Sequence, residues 1–263
     1  MLHSMRQFDD LTYVHSVNVA LIASILGQWL KFSEKDIRIL TISGLLHDIG
    51  KIMIPNEILT KPGKLTVAEY NIMKQHVNFG YEKVKNQNID IRIKEACLLH
   101  HEKCDGTGYP FGLKSDHIPA VAKIIAIADV YDAMTSARVY RGALCPFEVI
   151  DTMYKDAFTK FEPEYILPFL KNVASSYINN DVRLSDGRIG KVVLINENAL
   201  SLPIIQCEDE FIDLSKTRRT HSFCNFIKTY LAHCVEVFFF SSHTSADVSF
   251  LFIDIKNLSG FSG

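Results

Sequence analysis

The sequence predicts a mainly α-helical protein with a small β hairpin or sheet appended near its C-terminal end. Three observations predict it. Apolar residues recur at helical spacing, in segments opened by capping signals, as far as about Ser176. After Asn179-Asn180 the period switches to strand-like alternation. Histidine and aspartate recur at helix-length intervals, at His15, His47-Asp48, His76, His100-His101 and Asp129, as in a site assembled from several helices. Five of the ten histidines would meet in that one place.

Residues 11–29 form the first expected helix, with Val14, Val17, Leu21, Ile22, Ile25 and Leu26 on one stripe and His15 on or beside it. Ser33 and Asp36 make a capping-box pattern that starts a second helix over 34–48. This helix carries Gly44-Leu45-Leu46-His47-Asp48-Ile49-Gly50-Lys51, where an apolar turn delivers an imidazole and a carboxylate side by side. Gly50 is expected to end that turn, because glycine adopts the left-handed conformation without steric penalty. Lys61-Pro62-Gly63 reads as a turn, and Thr66 with Glu69 caps a third helix that carries His76 beside Met73, Val77 and Gly80. A fourth helix over 89–101 sets Ile93, Cys97 and His100 on one face.

Between Glu102 and Pro119 the periodicity breaks. Asp105-Gly106-Thr107-Gly108-Tyr109-Pro110 places two glycines and a proline around one exposed-looking tyrosine, the composition of an ordered turn or loop. Helical spacing resumes at Ala120 and runs through Ile124, Ile125 and Ile127 to Asp129 and Asp132. Residues 146–154 and 163–176 give two more helices, each with proline in its first turn, where it is tolerated. Residues 182–185 and 191–195 flank Asp186-Gly187 as a hairpin, and 203–207 and 210–214 add two short strands. The expected division is a helical domain over 1–176, a β appendage over 177–216 that is too small to fold alone and leans on the helices, and an unassigned tail over 217–263 with β-prone runs at 235–240 and 248–255.

Apolar residues make up 48% and charged residues 22% of the 263, the balance of a soluble globular protein. Formal net charge is −2, so no global basic field argues for a nucleic-acid polymer as partner. The six cysteines are scattered without a Cys-x-x-Cys pair, which fits reduced thiols and a cytoplasmic location. No secretory signal is legible at the N-terminus, and no stretch reads as long and apolar enough for a membrane span.

Three pieces of the chain match a known family: His47-Asp48-Ile49-Gly50-Lys51; His100-His101-Glu102-Lys103-Cys104-Asp105-Gly106-Thr107-Gly108-Tyr109-Pro110; and Asp129-Val130-Tyr131-Asp132-Ala133-Met134-Thr135 followed by Arg138, Tyr140 and Arg141. Over residues 11–176 the chain resembles the HD-GYP domains, a branch of the HD metal-dependent phosphohydrolases. The resemblance implies an HD-type helical bundle around two divalent metal ions, Fe or Mn, with Zn, Ni or Co as alternatives. It also implies hydrolysis of the bacterial messenger cyclic di-GMP to linear pGpG, and on to GMP, by a hydroxide bridging the metals. Carried over residue by residue, one metal falls to His15, His47, Asp48 and Asp129, the other to Asp48, His76, His100 and His101, with Asp48 bridging. Lys51 then serves as a point charge on the scissile phosphate, and Gly108, Tyr109, Pro110, Asp132, Arg138 and Arg141 contact the substrate, Tyr109 by stacking on a guanine.

Taken singly, these residues have plainer readings. Lys51 suits a helix C-terminus, His76 a core histidine, Tyr109 a packing residue, and Arg138 with Arg141 a solvated face. Another nucleotide phosphohydrolase, or a receptor that binds a cyclic dinucleotide without cutting it, is the competing function. Members of the family with three metals have a glutamate four residues before the first histidine. Leu11 stands there, so two metals are expected. The first ligand is expected within a dozen or so residues of the start, which leaves no room there for a sensory or receiver domain; a homodimer, or an upstream regulatory domain or partner outside this chain, is the expected association.

Overall fold

The computed structural model describes residues 10–136 and 144–216. Helix α1 (Asp10–Trp29) and helix α2 (Glu34–Leu46) pack along each other. Their backbones come so close that a Cβ on Gly44 would stand 2.5 Å from the Ala20 Cα, so only glycine fits. Ser33 caps α2 as expected, its hydroxyl accepting from the Asp36 amide and donating to the Asp36 carboxylate at 2.6 Å.

Two local expectations are corrected. Helix α2 ends at Leu46 rather than at 48, and after His47 and Asp48 the chain continues as a 3-10 turn over Ile49–Met53. Gly50 lies within that turn and is absent from the glycines with left-handed φ. Its smallness matters instead, since a Cβ there would collide with the His76 carbonyl and the Gly80 amide. The expected third helix is two: after a short α3 (Asn56–Leu59), α4 (Val67–Met73) opens on the predicted Thr66/Glu69 capping box and α5 (His76–Val84) follows. Between them the Gln75 amide bonds back three residues to Ile72, a tightened turn that ends α4 and starts a new helix at His76.

Helix α6 (Ile91–Leu99) is capped by Asp90, and α7 (Ala120–Thr135), α8 (Pro146–Asp156) and α9 (Pro163–Ser176) complete the helical part. Leu26, Leu40, Ile124, Ile125, Ile127, Phe147 and Phe169 are buried, with Tyr131 set edge-on to Phe169 at 5.1 Å between centroids. Helix α1 packs against α2, α7 and α9, with Val19, Ala20, Ala23 and Leu26 buried. By length and composition Leu11–Trp29 does pass as a candidate membrane span, contrary to the sequence reading. An apolar helix used as a core element passes the same test, and α1 is used that way here.

The strands β1 (Asp181–Arg183), β2 (Ile189–Leu194), β3 (Ile204–Cys207) and β4 (Glu210–Asp213) form an antiparallel meander in sequence order. Val192, Ile205 and Ile212 sit opposite one another across three strands and are buried, which fixes the register through one shared apolar face. Gly187 takes the left-handed φ of +91° at the hairpin turn. The sheet is tied to the helices by Asn179 N–H donating to the Val192 carbonyl at 2.7 Å, just after α9, and by Ser201 Oγ donating to Asp151 of α8 at 3.3 Å. The β-prone runs of the 217–263 tail lie outside the described residues.

Candidate metal centre

The ends of α2 and α6, the start of α5, and the facing sides of α1 and α7 converge on one place. Three histidines are held by the same device. The Nδ1–H of His47 donates to the Gly44 carbonyl at 2.7 Å, that of His76 to Met73 at 2.8 Å, and that of His100 to Ala96 at 3.0 Å. A carbonyl can only accept, so these bonds assign the proton to Nδ1 and leave the Nε2 lone pair turned toward the cluster. His15 differs: its Nδ1 faces Asp132 Oδ2 at 2.6 Å, and its Nε2 lies 3.0 Å from Asp129 Oδ1.

The ligand-type atoms form two groups, Asp48 with His76, His100 and His101, and His15 with His47 and Asp129, each group within 4.8 Å internally. Asp48 faces both. Its Oδ1 lies 3.3 Å from His76 Nε2 and 3.9 Å from His100 Nε2, while its Oδ2 lies 3.3 Å from His47 Nε2 and 3.7 Å from His15 Nε2. Buried polar atoms ordinarily find a hydrogen-bond partner, yet His47 Nε2 and Asp48 Oδ1 are buried and make none. Two such atoms aimed at the middle of an imidazole and carboxylate cluster fit cation ligands, so the donor set can hold metal.

The electrostatics agree. Burial pushes the imidazoles of His76 and His100 below the usual range and that of His101 down to about 3, so all three are neutral near pH 7. For Asp48, burial alone would raise the pKa, but Lys51 and His47 outweigh it and keep the carboxylate ionised. Asp129 is held low in the same way, against its burial, by the hydrogen bond from His15 and the charges around it. His15 is pushed up to about 9, because Asp129 and Asp132 outweigh its desolvation. Cys97 is no ligand: burial holds its thiol up to about 12, and its Sγ donates to the Leu46 carbonyl at 3.3 Å.

Lys51 Nζ pairs with Asp48 Oδ2 at 2.5 Å, at the edge of the centre. The Gly-Tyr-Pro loop folds back over His101. Tyr109 N–H donates to the His101 carbonyl at 3.1 Å, and its ring stacks on the His101 imidazole with centroids 4.7 Å apart. Tyr109 is thus half-buried rather than exposed, and one of its faces is already used. Gly108 permits this approach, since a Cβ there would stand 2.5 Å from the Glu102 Cα and the Lys103 amide. Pro110 follows through a cis peptide bond.

A family model described as HD domain matches residues 6–165. The chain belongs to the HD domain family. The chain is 36% identical over 203 residues to a cyclic di-GMP phosphodiesterase of Pseudomonas aeruginosa, covering 77% of this chain and 49% of that protein. It is also 36% identical over 158 residues to 3′3′-cGAMP-specific phosphodiesterase 2 of Vibrio cholerae, covering 59% of this chain and 30% of that protein. The chain spans less than half the length of either relative. Among solved structures, the HD domain of the Listeria monocytogenes phosphodiesterase PgpH has the same fold, with a TM-score of 0.51 at 18% identity over 66% of this chain and 95% of that one.

The HD domain brings together His15, His47, Asp48, His76, His100, His101 and Asp129, with Lys51, Gly108, Tyr109 and Pro110 around them. Asp132, expected among the substrate contacts, is buried behind His15, where its carboxylate also accepts from Asn18 at 2.9 Å and Ser136 at 3.0 Å. Arg138 and Arg141 lie outside the described residues. Two residues went unnoticed in the sequence. Asn18, one helical turn after His15, positions Asp132, and buried Glu102 accepts from the amides of Phe111 at 2.7 Å and Leu113 at 2.8 Å, which pins the loop. The signal for Glu102 was its place directly after the paired histidines, in front of a glycine-rich loop whose amides need an acceptor.

Proposed function

We propose that this HD domain is a metal-dependent phosphodiesterase that opens cyclic di-GMP to linear pGpG, with GMP as the product of a second cut. One observation carries the reading: Asp48 presents one carboxylate oxygen to each of two ligand groups. The name of the Pseudomonas relative supports the substrate. Two divalent ions, Fe or Mn, with Zn, Ni or Co accepting the same donors, would supply Lewis acidity and an activated water when bound. His15, His47, Asp48 and Asp129 would hold one ion, and Asp48, His76, His100 and His101 the other.

The residues of the chain then divide the work. Neutral His76, His100 and His101 donate lone pairs without having to shed a proton. Lys51, beside Asp48, neutralises charge that grows on the phosphate as the P–O3′ bond breaks, and water ends as a 5′-phosphate and a 3′-hydroxyl. Tyr109 closes one wall of the site. Burial, then Tyr70, Asp48 and Asp129, push its phenol above the ordinary range, so it stays a neutral donor. Arg138 and Arg141 remain assigned to substrate binding on the resemblance alone. Residues 1–176 form the catalytic unit, 177–216 an accessory sheet and 217–263 a separate tail, in a cytoplasmic protein.

The name of the Vibrio relative favours a second reading, in which a mixed cyclic dinucleotide is preferred. Metal-loaded full-length protein incubated with cyclic di-GMP and 3′3′-cGAMP, with products resolved by chromatography, separates the two. Faster conversion of cyclic di-GMP supports the first reading. Conversion of neither with occupied metal sites overturns both, and tight binding without conversion would mark a receptor.

A further inference from the structure

Several lysines near the site or on its neighbouring helices have a carboxylate partner: Lys51 pairs with Asp48, Lys61 with Glu69, Lys85 with Glu82 and Lys123 with Glu162. Lys74 does not. It occupies the tight turn between α4 and α5, two residues before His76, and is half-buried. Its Nζ stands 5.3 Å from the centroid of the Tyr70 ring and 6.0 Å from that of Tyr109, and among the described residues it makes no ion pair. Tyr109 is in turn stacked on His101 and set edge-on to His76 at 6.5 Å.

We propose that Lys74 is a substrate-binding residue that holds the phosphate of the cyclic dinucleotide that is not being cut. This rests on the cyclic-dinucleotide reading above. An ammonium over two aromatic faces keeps its charge and its hydrogen-bond donors, because rings satisfy neither fully as a carboxylate would. The Tyr109 ring that Nζ approaches is the one stacked on His101, which sets the ammonium beside that wall of the site. A cyclic dinucleotide carries its second phosphate in the same small ring as the first, so a cation beside the metal cluster is the group that meets it. Lys51 is already committed to Asp48 at the scissile side, which leaves the two lysines on different phosphates.

The contact belongs to the part of the substrate that does not react, so it strengthens binding before and during the reaction equally and acts on KM rather than kcat. The test uses Lys74→Met, which keeps the stem and removes the charge, and Lys74→Arg, which restores it. The ratio of kcat/KM for cyclic di-GMP to that for bis(p-nitrophenyl) phosphate, a diester with one phosphate, is expected to fall roughly tenfold or more in Lys74→Met and to recover in Lys74→Arg. The Kd for a non-hydrolysable phosphorothioate analogue, measured by titration calorimetry, should weaken by the same factor with bound metal unchanged. Equal loss on both substrates, or loss of metal, would make Lys74 structural and overturn the proposal, as would an unchanged ratio. If the unmodified protein cleaves the simple diester but not cyclic di-GMP, the substrate reading fails first and this inference with it.

Discussion

Asp132 Oδ2 lies 2.6 Å from Nδ1 of His15, on the side of the imidazole away from Asp129. A carboxylate behind a ligand histidine fixes its ring and raises its basicity, and removing such a partner typically weakens metal binding by about 10–100-fold. Asp132→Ala is therefore expected to lower occupancy at the position shared by His15, His47 and Asp129 while sparing the other. Metal analysis after dialysis checks it. Loss of both ions together would show that Asp132 does more than orient His15.

Gly50 makes a different kind of contact with the site. A Cβ at this position would meet the backbone of both His76 and Gly80, so Gly50→Ala must push the turn that follows Asp48 away from α5. Overpacking of this sort costs about 1–3 kcal/mol, and here it also separates Asp48 from His76. A lower melting temperature with reduced metal content is expected, against a Gly63→Ala control, where no neighbouring atom lies within 4 Å but the left-handed φ of +109° adds its own strain. A Gly50→Ala protein as stable as the parent would remove the close-packing argument.

Glu102 is buried and takes both of its hydrogen bonds from loop amides. Glu102→Ala leaves the Phe111 and Leu113 amides without their acceptor, a cost of about 1–3 kcal/mol that falls on the loop alone. Hydrogen exchange at those two amides should accelerate while exchange in α1 and α2 does not. Uniform acceleration would mean that Glu102 supports the whole fold.

The helices, and the convergence of histidines and aspartates on one place, were legible because both rest on periodicity and on local caps: the Ser33 and Thr66 caps sit where the sequence puts them. What was not legible depends on partners distant in sequence. Gly50 looks like a helix terminator until His76 is packed against it. Asp132 sits one helical turn from Asp129 and looks like a second inward carboxylate, but α1 places Asn18 as well as His15 against it, 114 and 117 residues away. Tyr109 lies in a turn-rich segment that reads as exposed, yet the loop folds back onto the histidines that precede it. The break at Lys74-Gln75 escaped notice because neither residue is a helix breaker, and the capping pattern of α4 runs straight into it.

Leu11 is 63% exposed and stands one turn before His15 on α1. An apolar side chain offers a hard cation nothing, so protein prepared without oxygen should carry two Fe or Mn per chain, and Leu11→Glu is the variant expected to take up a third. A reproducible third ion in the unmodified protein would show that another residue supplies the carboxylate.

The central claim is that Asp48 joins two metal positions into one phosphodiesterase centre, and parallel measurement of metal content and cyclic di-GMP turnover tests it most directly. Asp48→Ala is predicted to lose both ions and all conversion to pGpG, as chelation of the parent protein should. Lys51→Ala is predicted to keep the ions and lose turnover by a factor of about 100 or more, because its charge acts on the transition state. An Asp48→Ala protein that still binds two metals, or one that still opens cyclic di-GMP, would contradict the account.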